Sequence, residues 1–188
     1  MTAAGLLGPA AARAQLPAPA PQEDDIAFLS FAAVAERASR DVYRAALRQR
    51  GAGLSARERR HLSRVASAKR AHIQRLDRAL GEEAPGADDF VTVLPDGAVT
   101  TRARALALAE RLETLLVRVY LNGVGYAADP ATRLLLGRLL AYDAQAVTWL
   151  RVAAGKASPA GLQTPIDLEA AGEALEGFLS TPDFQDDE

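Results

Sequence analysis

The chain has 188 residues, no cysteine, two histidines and a formal net charge of −2. Without cysteine there are no disulfides, thiolate metal sites or cysteine nucleophiles, and the charge gives no overall basic character for nucleic acid. Apolar content is carried by alanine and aliphatic residues, with few aromatics, which favours helices over sheets, and the length suits one domain with a sizeable core.

Residues 1–22 are mostly Ala, Pro, Leu and Gly. A weak apolar stretch followed by small-x-small at Ala12-Arg-Ala14 has the form of the end of a secretory signal, without the basic segment that should precede it. Export to the periplasm or outside is the expectation. The alternative is a disordered Ala/Pro tail on a cytoplasmic protein. No stretch approaches the roughly 20 apolar residues of a membrane span.

A first helix is expected over about 23–50, with Glu23, Asp24 and Asp25 at its positive end and Gly51 and Gly53 stopping it. Ser55-Ala-Arg-Glu58 is a capping box that opens a second helix running to about Leu80. Arg57-Glu-Arg-Arg60 reads as a solvated helix face, and His61 beside it as a surface histidine. Residues 81–99 form a linker long enough to cross a bundle from end to end. Thr100 or Thr101 then caps a third helix to about Gly125. Asp129-Pro130 supplies the N-cap and first-turn proline of a fourth, ending near Gly155. Asp167 caps a short fifth helix, expected to end near Leu179 and to cover one end of the bundle with Ile166, Leu168, Leu175 and Phe178. The residues from 181 read as an acidic tail, leaving 23–180 as the folded unit.

Polar residues interrupt the apolar seams of these helices at matching places. Glu36 and Tyr43 lie seven residues apart, two turns, on a face otherwise built from Ile26, Leu29, Ala33 and Leu47. Glu113 and Tyr120 repeat that arrangement among Leu106, Ala109, Leu116 and Val124. The second helix puts Lys69 and His72 into the seam Leu62, Val65, Leu76, and the fourth puts Asp143 into Leu136, Leu139, Ala146, Leu150. A carboxylate inside an apolar stripe is costly unless it is protonated, paired or bound to a metal.

The order of helices is that of an all-α four-helix bundle, two hairpins joined by a long crossover, plus a short C-terminal helix. With Glu36-Arg-Ala-Ser-Arg-Asp-Val-Tyr43, its echo Glu113-Thr-Leu-Leu-Val-Arg-Val-Tyr120, and Gln163-Thr-Pro165 before the last helix, the chain resembles the secreted, desiccation-related branch of the ferritin-like superfamily. The resemblance covers roughly residues 24–180. It implies a ferritin-like bundle in which the first and third helices each give a metal-ligating glutamate. The second and fourth would each give Glu-x-x-His, around two iron or manganese ions.

Against that pattern the second helix has Lys69-Arg-Ala-His72 and the fourth Asp143-Ala-Gln-Ala146. Glu36, His72, Glu113 and Asp143 survive as ligand types, while Lys69 and Ala146 stand at lost positions. Two readings follow. In one there is no cofactor: Lys69, with Arg40 assisting, neutralises the acids in a buried ion cluster, and the protein has a structural, binding or stress-related role. In the other, the four survivors hold iron or manganese with residual ferroxidase or peroxide-consuming chemistry. Tyr43 and Tyr120 read as core tyrosines bonded to the acids, the alternative being redox tyrosines, and Trp149 reads as packing. A protein partner or homo-oligomer is expected, without nucleic acid. No phosphate-binding glycine loop or Ser-His-Asp arrangement is present.

Overall fold

A computed structural model describes residues 23–86, 89–157, 161 and 163–180. The possible cleavage site at Ala12-Arg-Ala14 and the acidic tail lie outside the described residues.

Four long helices build the fold: α1 (Glu23–Arg48), α2 (Ala56–Leu80), α3 (Arg102–Tyr126) and α4 (Pro130–Ala153). Each start is where local chemistry places it. Ser55 and Glu58 form the reciprocal capping box of α2, Thr101 accepts from Arg104 N at α3, and Asp129 accepts from Thr132 N at α4 with Pro130 in the first turn. In the α1–α2 loop Gly53 has φ +74°, a left-handed conformation that L side chains rarely adopt. Hairpin α1–α2 packs on hairpin α3–α4 chiefly through α1 and α3, whereas α2 and α4 approach each other closely at few places. Gly123 sets one of these distances. A Cβ there would lie 2.7 Å from Leu136 Cδ1 and 3.2 Å from Phe28 Cδ1, so bare backbone lets α1, α3 and α4 close together.

The C-terminal region departs from expectation. Helix α5 (Leu168–Glu176) stops before Leu179, which lies in a two-residue strand β2 (Leu179–Ser180). This strand pairs antiparallel with β1 (Val91–Thr92) in the crossover, and Val93 N donates to Phe178 O at 2.9 Å. The β-branched run Val91-Thr92-Val93 favours extended backbone and gives the last residues an edge to pair with. Helix α5 and the ribbon lie along the side formed by α1 and α3, not over a bundle end. Ile166 N bonds Arg118 O, and Arg111 stacks over the buried Phe178 ring, both partway along α3. Arg37 fastens the start of the crossover, with Nη1 donating to Pro85 O at 2.8 Å and Nη2 pairing with Asp77.

All the seam residues Leu62, Val65, Leu76, Leu136, Leu139 and Leu150 are buried, and so are the polar residues that interrupt them. Glu36, Lys69, Glu113 and Asp143 are each 0% exposed. The result is an apolar shell around a charged centre.

Candidate metal centre

The centre is built from one interruption per helix. Lys69 comes in on α2, and its ammonium lies 3.1 Å from Glu36 Oε2, 2.9 Å from Glu113 Oε2 and 2.8 Å from Asp143 Oδ1. An ammonium has three N–H groups, and three carboxylates from three other helices meet it. The heptad spacing of the seams turns each polar residue toward the axis, and the packing of the two hairpins brings them to one height.

The outer oxygens are held less evenly. Glu36 Oε1 accepts from the Tyr120 hydroxyl at 2.8 Å and lies 3.2 Å from His72 Nδ1. Glu113 Oε1 accepts from Ser39 Oγ at 2.6 Å. Asp143 Oδ2 and the Tyr43 hydroxyl are buried with no hydrogen-bond partner among the described residues. His72 is wedged edge-on against Tyr142, their ring centroids 4.9 Å apart.

One ammonium cannot balance three carboxylates in a core, and the acids respond differently. Burial raises the Asp143 pKa well above the usual range, with the neighbouring Glu36 and Glu113 charges adding to it against the pull of Lys69. Burial also acts upward on Glu36, but Lys69 and the bonds from His72 and Tyr120 outweigh it and hold Glu36 below its ordinary value. Burial would discharge Lys69; Asp143, Glu113 and Glu36 together raise its pKa instead, so it stays an ammonium. Both tyrosines are pushed far up by burial and the surrounding carboxylates.

Four other expectations meet the structure here. Arg40 does not assist the cluster: its Nε pairs with Asp41 at 3.0 Å, outside the core. Tyr120 bonds an acid as expected, and the Tyr43 hydroxyl faces Glu113 without completing a hydrogen bond of full geometry. His61 is not a free surface histidine but stacks on Trp149 at 3.6 Å and 12°, and burial with nearby Arg64 lowers its pKa. That stack spans the loosely packed α2–α4 side, so Trp149 does pack. Sequence reading passes over Ser39, a small hydroxyl at i+3 from Glu36, and gives Asp25 only the positive end of its own helix. The buried Asp25 carboxylate accepts from the backbone N–H groups of Ala128 and Asp129, both at 2.8 Å.

A family model for the ferritin-like domain matches residues 24–156, which takes in all four long helices. The chain belongs to this family. No curated protein and no solved structure matches it.

Ferritin-like proteins of the carboxylate type hold two metal ions in the bundle core, with ligands from four helices. In this ferritin-like domain the donor set does not fit two ions. Among the donors stands Lys69, a cation with no lone pair to offer, already in contact with all three acids. His72 is the one imidazole in the group Glu36, His72 and Asp143. Among the described residues no helix is long and apolar enough to cross a membrane.

Proposed function

We propose that this ferritin-like domain is a non-catalytic protein whose two-metal centre has been replaced by an internal ion cluster. The observation that carries this reading is the Lys69 ammonium within 3.1 Å of three carboxylates. The lysine supplies the positive charge that metal ions would otherwise supply to Glu36, Glu113 and Asp143, and with it the reason for a bundle to keep buried acids. The cluster offers no redox centre and no position open to substrate. A structural, binding or stress-related role of the desiccation type, in an exported protein, accords with the Glu36–Tyr43 and Glu113–Tyr120 motifs and with the small-x-small sequence at Ala12-Arg-Ala14.

One observation favours a second reading. Ligand atoms of Glu36, His72 and Asp143 lie within 4.8 Å of one another, and Asp143 Oδ2 has no partner. With Glu113 they would make a four-ligand site for one iron or manganese, provided Lys69 leaves the centre. Elemental analysis after anaerobic loading with Fe(II), and separately with Mn(II), decides between them. The ion-cluster reading expects near-zero metal per chain. About one metal per chain, lost in Glu113→Ala, would overturn it. Lys69→Glu combined with Ala146→His restores the six-ligand pattern and should raise uptake well above wild type.

A further inference from the structure

While α3 turns Glu113, Leu116 and Tyr120 into the core, its outer face borders a separate cavity of about 350 Å3. That is within the usual range for small-ligand sites. Leu115, Ile166 and Phe178 supply apolar wall, and Arg111, Arg118 and Lys156 supply cations.

The charges at this cavity are unbalanced. Its one acid, Glu110, is already held by Arg151 at 3.0 Å and Lys156 at 2.5 Å. Arg111 lies with its guanidinium 4.6 Å from the centre of the Phe178 ring, and Arg118 Nε donates to Thr164 O at 2.9 Å. Among the described residues neither guanidinium has a carboxylate partner. Both are nevertheless fixed, one by the ring and one by the carbonyl, which leaves further N–H donors free in a defined place. They are seven residues apart on α3 and share a face, about 10 Å apart along the helix.

We propose that this cavity binds a small amphipathic anion, an acyl or aryl carboxylate. Its head group pairs with the guanidinium N–H groups of Arg111 and Arg118, and its apolar body rests on Leu115, Ile166 and Phe178. A planar carboxylate matches the arginine fork, and the mixed lining selects against both inorganic anions and neutral hydrocarbons. The site is independent of the ion cluster and of whether any metal is bound there.

Calorimetric titration of the full chain with octanoate tests it, with octanol as the uncharged match. Octanoate should bind, and octanol at least about tenfold more weakly, since a hydrogen bond to a charged group contributes about that factor. Arg111→Gln/Arg118→Gln should lose octanoate by a similar factor. Ala174→Trp fills the cavity and leaves both arginines in place, so it should abolish binding with an unchanged circular dichroism spectrum. It carries the test if the double variant does not fold. Equal binding of octanol and octanoate, full binding by either variant, or no octanoate binding at millimolar concentration overturns the proposal.

Discussion

The two hairpins of this bundle are copies in outline and opposites at the centre. Where α2 contributes Lys69, α4 contributes Asp143, and the two meet at 2.8 Å. Where α3 contributes Tyr120 to bond Glu36, α1 contributes Tyr43, whose hydroxyl faces Glu113 without completing a hydrogen bond. Ser39 on α1 accounts for the second difference, because it takes Glu113 Oε1. A symmetric metal pair asks the same of both halves. A single ammonium does not, and once it sits among the acids each half is free to satisfy its own carboxylate by different means.

Breaking the Lys69 side of this comparison should have the largest effect. Lys69→Met keeps the stem and removes the charge, stranding buried acids, and should lower unfolding free energy by roughly 3–5 kcal/mol at neutral pH in a denaturant titration. A loss no larger than that of a surface substitution would mean that the acids do not depend on Lys69.

The tyrosines sharpen the comparison at the next level. Tyr120→Phe removes a bond to a charged, buried acceptor and should cost about 1.5–3 kcal/mol. Tyr43→Phe removes a hydroxyl with only an incomplete bond to Glu113 and should cost clearly less, under about 1 kcal/mol. Equal losses, measured by the same denaturant titration, would show that the two halves are equivalent after all.

The effect expected on the Asp143 side is one that depends on pH. The folded state holds this proton more tightly than the unfolded chain does. Its stabilisation is therefore complete below about pH 4 and lost as pH rises through the folded value. Asp143→Asn has no such proton to lose, so its stability relative to wild type should improve as pH rises above about 4. A difference independent of pH would show that Asp143 holds its proton no more tightly in the folded state than in the unfolded chain.

Much of this was legible in the residues because a charge in an apolar seam is conspicuous. Lys69 and His72 stand out between Val65 and Leu76; helical periodicity puts them on the core face, and the resemblance to the ferritin-like pattern is what sets them level with Glu36 and Glu113. Helix starts were equally legible, since Ser55, Thr101 and Asp129 act on amides three residues away. What spacing cannot carry is a partner distant in sequence. Arg59 and Arg60 make His61 look solvent-facing, and only the fold brings Trp149 onto its ring. Ser39 reads as a small helix residue until α3 lies beside it. The short pairing of Val91–Thr92 with Leu179–Ser180 joins two segments, each too short to show a period of its own.

Asp25 bears on the order in which the chain assembles. It belongs to the first turn of α1, yet the amides it binds are those of residues 128 and 129, more than a hundred positions later. During synthesis the first hairpin emerges with this carboxylate unanswered, and it remains so until the loop that starts the second hairpin has left the ribosome. The first turn of α1 therefore gains these two partners only once the second hairpin has docked. Closing it joins the ends of a long chain segment and makes the two hairpins one cooperative unit.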